Sequence, residues 1–131
     1  MSGQVPPDAD AIESIARATI EKLPPEFRVH LGEIVLFVEE YADDETLTAL
    51  GIDHPLDLSG MYRGRPVGEK SSMESGAMPD SIHLYRRSIL EEWIETGVEL
   101  EALVAHVTIH EIGNHFGLSD DDMHALEDAA G

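Results

Sequence analysis

The segment VTIHEIGNHFGLSDDD, residues 107–122, gathers side chains that bind metals and move protons. A metal-binding helix of the His-Glu-x-x-His kind needs two imidazoles at i and i+4, because that spacing puts both on one face. It also needs a glutamate after the first imidazole to take a proton from water. Here His110 and Glu111 fit the opening of that pattern, Asn114 stands where the second histidine belongs, and a histidine arrives one place late at His115. With about 100° per residue and His106 as origin, His110 falls at about 40°, Asn114 at about 80°, Glu111 at about 140° and His115 at about 180°. His110 and Asn114 therefore share a face. His115 points away and reads as a packing or hydrogen-bonding residue. Gly117 lies three residues beyond Asn114 and Asp120 three beyond that, a spacing at which a glycine bend can return a further oxygen ligand.

Asparagine changes the chemistry. A carboxamide oxygen is a harder, weaker and shorter ligand for zinc than imidazole. A His106–His110 pair is also able to chelate, but it moves the metal one turn up the helix, away from Asp120; otherwise His106 is a surface or supporting histidine. Asp120 has a second reading as the cap of the last helix. His124 reads as a helix-surface residue or part of the site's rim. His30, His54 and His83 read as surface or strand residues. Tyr62 and Tyr85 suit packing, with oxyanion stabilisation as the alternative, and Trp93 suits a core anchor. Arg63, Arg65, Arg86 and Arg87 hold four of the eight basic charges, either paired with nearby acids or contacting substrate.

These residues need elements to position them. Asp8 or Asp10 can cap a first helix whose apolar stripe is Ile12, Ile15, Ala16, Thr19, Ile20 and Leu23, stopped by Pro24 and Pro25. Residues 1–8 form a loose lead-in. The apolar run Ile34–Val38 reads as a buried central strand. Residues 43–52 suggest a short helix closed at Gly51, and 56–66 a strand with a glycine bend. Residues 67–80, rich in Gly and Ser, read as a mobile loop. SIHLYRR reads as a strand, followed by a helix capped by Ser88 with Ile89, Leu90, Trp93 and Ile94 on one face, ended by Gly97. The chemical helix spans about Glu99 to Phe116, with Leu100, Leu103, Val104, Val107 and Ile112 buried, and Ser119 or Asp120 opens a last helix. The class is α+β: a short mixed sheet packed against helices.

The chain has 131 residues, suiting one domain able to bury roughly 65–70% of its unfolded surface. It has no cysteine, excluding a disulfide framework or a cysteine zinc knuckle. Asp and Glu number 27 against 8 Lys and Arg, a formal charge of −19. Such a field repels nucleic acid and anionic membranes and favours cations and basic partners. With neither a leader pattern nor a membrane-length apolar run, the expected location is the cytoplasm.

HEIGNHFGLSDDDM, with IVLFVEE, LSGMYRGRP and SIHLYRR before it, resembles the bacterial zincin-like metallopeptidases, small single-domain proteins. The resemblance implies a zincin-like domain with an active-site helix, zinc held by His110, position 114 and Asp120, and Glu111 as the general base that activates water against a peptide bond. His110, Glu111 and Asp120 match that pattern, Asn114 departs from it, and His115 matches a non-ligand histidine. Two functions follow: a zinc peptidase acting on a peptide or protein substrate, impaired at Asn114, or a zincin-fold binding module that has lost a ligand and meets a basic partner.

Overall fold

A computed structural model describes residues 6–28, 31, 34–64 and 80–130, the side chains of residues 26, 115, 129 and 130 excepted. His30, Arg65, residues 1–5 and all of the 67–80 segment but Asp80 lie outside the described residues, as does the His115 side chain.

Helix α1, Ala9–Glu21, starts where the Asp8 carboxylate accepts the Ala11 N–H at 2.9 Å, supplying one of the partners a helix start lacks. Its stripe buries Ile12, Ala16 and Thr19, with Leu23 just beyond. The prolines do end α1, but Pro25 also opens the single turn α2, Pro25–Arg28. Proline suits a first helical position, where its missing N–H costs nothing. The Pro7 carbonyl accepts from Arg86 Nε at 2.7 Å.

Three strands form a mixed sheet in the order β1-β3-β2: β1 is Val35–Glu39, β2 Gly60–Arg63 and β3 Ser81–Tyr85. β1 runs parallel to β3, pairing Leu36 with Ile82 and Val38 with Leu84. β2 runs antiparallel, pairing Gly60 with Leu84 and Tyr62 with Ile82. Among the described residues, the apolar run at 34–38 is thus an edge strand, not the central one. Ile34, Leu36 and Val38 pack on the core, while Val35 and Phe37 are 39% and 43% exposed. Five consecutive apolar residues look alike whether one face or both is covered; here the second face is covered only in part, by Ala42, Leu47, Ile52, Leu58 and Met61 around Tyr85. The buried centre is β3, whose Ile82 and Leu84 have no exposed surface.

α3, Asp44–Leu50, is capped by Asp43 and closes at Gly51. A 3₁₀ turn at Pro55–Asp57 precedes β2. Helix α4, Arg86–Thr96, begins directly at the end of β3, two residues before the expected Ser88 cap. Ser88 is instead buried inside the helix and donates its hydroxyl to the Pro55 carbonyl at 3.1 Å. Ile89 and Leu90 are buried and Trp93 packs at the core's margin, but Ile94 is 75% exposed and does not share their face.

Helix α5, Leu100–Phe116, runs through the middle of the molecule and buries Leu103, Val104, Val107, Thr108, Ile109 and Ile112. It packs on α1, on β2 and on α6, Asp120–Ala130. Gly117 takes a left-handed conformation (φ 70°), which a β-carbon would disfavour, and the Leu118 N–H returns to the Gly113 carbonyl at 2.8 Å. That reversal lays α6 along α5. Ser119 caps α6, its hydroxyl accepting the Asp122 N–H at 3.2 Å, and Met123 and Leu126 are buried. No helix among the described residues is long and apolar enough to cross a membrane.

Candidate metal centre and general base

Adjacent residues on a helix point about 100° apart, so His110 and Glu111 reach different neighbours. Glu111 lies toward the sheet. A β-carbon placed on Gly60 of β2 would stand 3.3 Å from Glu111 Cγ and 2.7 Å from Val107 Cγ1, so the missing side chain is what lets α5 sit this close to β2. Burial raises the Glu111 pKa above its ordinary value, and a hydrogen bond from Asn114 partly opposes the rise. A carboxylate whose proton affinity has been raised in this way suits general-base work near neutral pH.

His110 lies toward α6. Its ring is 4.3 Å from that of His106, and the His124 ring stands edge-on 6.2 Å away. Its Nε2 is buried and has no hydrogen-bond partner among the described residues. Burial lowers the His110 pKa, the neighbouring His106 adds to the lowering, and Glu127 and Asp120 oppose it. The shift favours the neutral imidazole, the form whose lone pair binds a metal.

The structure brings Asn114 to Glu111, its Nδ2 donating to Oε1 at 3.2 Å, on an exposed part of the helix. Asp120 is exposed at the first turn of α6, close enough for its charge to act on His110. Among the described residues, the His, Asp and Glu side chains near enough to share one ion are His106, His110 and Glu127, whose ligand atoms lie within 4.8 Å of one another. Asp120 is not among them. Glu127 is the residue that sequence reading missed. The signal available was its place on α6, four residues after the buried Met123 and three after His124, along the edge that faces α5.

The remaining candidates have structural partners. Tyr62 packs on the core and donates to Asp80 Oδ2 at 2.8 Å; Tyr85 is buried in the smaller cluster, and burial raises its pKa. Arg63 bonds Thr46, and Arg86 and Arg87 share Glu40. His83 bridges Glu39 and Ser81 at 2.7 and 2.9 Å, and His54 accepts the Leu56 N–H. His124 is exposed.

Compared with known protein families, the chain matches the model of the zincin-like metallopeptidases over residues 31–130. The chain belongs to that family. The match begins after α1 and α2 and takes in the whole sheet, α5 and α6. No curated protein matches the chain. Zincin-like metallopeptidases imply zinc, and the orphaned, buried Nε2 of neutral His110 fits that ion. Asn114 fits less well, because its amide nitrogen is committed to Glu111 and its oxygen is the only ligand it can offer.

Proposed function

We propose that this chain is a zinc-dependent peptidase whose turnover is limited by Asn114, with Glu111 as general base and His110, Asn114 and Asp120 holding the metal during catalysis. The observation that carries this reading is the pairing of a half-buried carboxylate of raised pKa at Glu111 with an imidazole on the preceding residue, His110, whose buried Nε2 has no partner among the described residues. Zinc, when bound, would polarise the scissile carbonyl and lower the pKa of water. The protein's own residues do the rest. Glu111 takes a proton from the attacking water as its oxygen adds to the carbonyl carbon, then returns that proton to the leaving nitrogen as the C–N bond breaks. Gly60, having no side chain, leaves room for the Glu111 stem against β2. β2 is an edge strand among the described residues, so an extended peptide laid along it would pass beside the base. The charge of −19 favours substrates with basic side chains, and a cytoplasmic location goes with this reading.

The hydrogen bond from Asn114 to Glu111 supports a second reading, a zincin-fold binding module without hydrolysis. Casein or a peptide library, assayed with wild type, Asn114→His and Glu111→Gln in the presence of zinc, separates the two. A peptidase limited at Asn114 gives weak wild-type cleavage, at least tenfold more in Asn114→His, and none in Glu111→Gln. No cleavage by either wild type or Asn114→His supports the binding module. Cleavage that survives Glu111→Gln overturns the mechanism.

A further inference from the structure

We infer that the resting metal site of this chain is the α5–α6 seam, where His106, His110 and Glu127 hold a borderline ion such as zinc one helical turn away from the position that Asn114 weakens. The inference shares His110 with the proposed peptidase site and rests on that reading only for the identity of the metal. His106 and His110 are i and i+4 on α5 with ring centroids 4.3 Å apart, the spacing at which one helix presents two imidazoles to one ion. Glu127 reaches them from α6, its Oε1 2.9 Å from His106 Nδ1. Ligands of a tetrahedral zinc at 2.0–2.1 Å stand roughly 3.3 Å from one another. His106 Nδ1 and Glu127 Oε1 are 2.9 Å apart and one ligand atom of each residue lies within 4.8 Å of the others, so side-chain adjustments of at most about 1.5 Å suffice to enclose the ion.

Two further observations point to a ligand at this seam. His110 Nε2 is buried without a partner beside a pair that is otherwise satisfied, an arrangement that costs free energy until something occupies it. All three residues are only half-buried, so an ion can reach them from solvent. The donor set is two imidazole nitrogens and one carboxylate, which leaves a fourth position for water and favours zinc over calcium or magnesium. In this chain the metal would thus rest beside His106, and Asn114→His would draw it toward Glu111.

The test is a calorimetric titration of zinc alone into the chelator-stripped full chain, repeated with cobalt followed by its visible absorption. Wild type binds one equivalent. His106→Ala and Glu127→Gln each weaken binding at least tenfold and lose the cobalt bands, whereas Asn114→Ala and Asp120→Asn stay within about threefold of wild type. Melting of each variant without metal checks folding; if His106→Ala fails that check, Glu127→Gln, which keeps an oxygen for His106, carries the test. Failure of wild type to bind zinc, or a loss of binding in Asp120→Asn with none in Glu127→Gln, overturns the proposal. Hydrolysis is not part of this readout, so the peptidase reading stands or falls separately on Asn114→His and Glu111→Gln.

Discussion

Helix α5 meets its neighbours along several seams, and in two of them, against β2 and against α6, a glycine stands at a close approach. On the sheet side a β-carbon at Gly60 would meet the branched Val107 at 2.7 Å and the His83 backbone oxygen at 3.3 Å. On the α6 side a β-carbon at Gly113 would meet Met123 Cε, Cγ and Sδ at 2.6–2.7 Å. The contacts are equally tight but not equally stiff. Valine has one rotatable side-chain bond and a backbone oxygen has none, whereas methionine has three. Glu111, the proposed general base, therefore sits on the rigid seam, and the imidazoles and Glu127 sit on the adjustable one. The proposed peptidase needs its base fixed, while a metal shared between the two proposed positions would need ligands that can move.

The largest expected effect is a direct contrast between these seams. Gly60→Ala should destabilise by about 1–3 kcal/mol, the usual cost of forcing a methyl group into a close-packed contact. Gly113→Ala gains roughly 0.5–1 kcal/mol of helix stability from removing an interior glycine, which offsets the displacement of Met123. Its net change should stay within about 1 kcal/mol of wild type by those two terms. Urea denaturation of both variants measures the difference. Equal losses would show that Met123 is as immobile as Val107 and would remove the distinction between the seams.

A smaller effect concerns what the rigid seam stores. Because burial raises the folded-state pKa of Glu111, the folded protein holds that proton more tightly than the unfolded chain does. The stability linked to this group is fully present below the ordinary carboxylate pKa and is lost as pH rises through the raised value. Glu111→Gln removes the buried charge and keeps the side chain's shape. Its melting temperature at pH 7.5 should exceed wild type's by roughly 2–5 °C, the response to about 1 kcal/mol in a chain of this size. At pH 4 the gain should vanish, since wild type is then protonated too. A gain that persists unchanged at pH 4 would mean that the charge of Glu111 is not its source.

The sequence carried more of the elements than of their contacts. The Asp8 cap and the 12–16–19–23 stripe were legible because capping and helical periodicity are local. The end of α5 was legible for the same reason: Gly117 needs a conformation that few other residues tolerate. The juxtaposition of His110 and Glu111 followed from adjacency alone. Three features were not local. β1 lies at the sheet edge because of which strand pairs with β3, and its own residues do not encode that choice. Ser88 is not a cap because β3 passes into α4 without a loop. Glu127 reaches His106 only because the Gly117 reversal and the Met123–Gly113 contact together set the register of α6 on α5.

The smallest expected effect tests whether the adjustable seam matters to folding at all. The His106–Glu127 pair has side chains 43% and 31% exposed, and a pair that wet exchanges one set of hydrogen bonds for another with water. In chelated buffer, His106→Ala and Glu127→Gln should each cost less than about 1 kcal/mol, and a double-mutant cycle should give a coupling of about 0.2–1 kcal/mol that shrinks in 0.5 M salt. A coupling well above 2 kcal/mol would make the pair a structural clamp. His106 and Glu127 would then have a reason to be together that involves no metal, and the seam would be nearly as rigid as the one that holds Glu111. A weak coupling leaves the pair with little structural role, and the unpartnered nitrogen of His110 beside it remains the feature that a bound ion would satisfy.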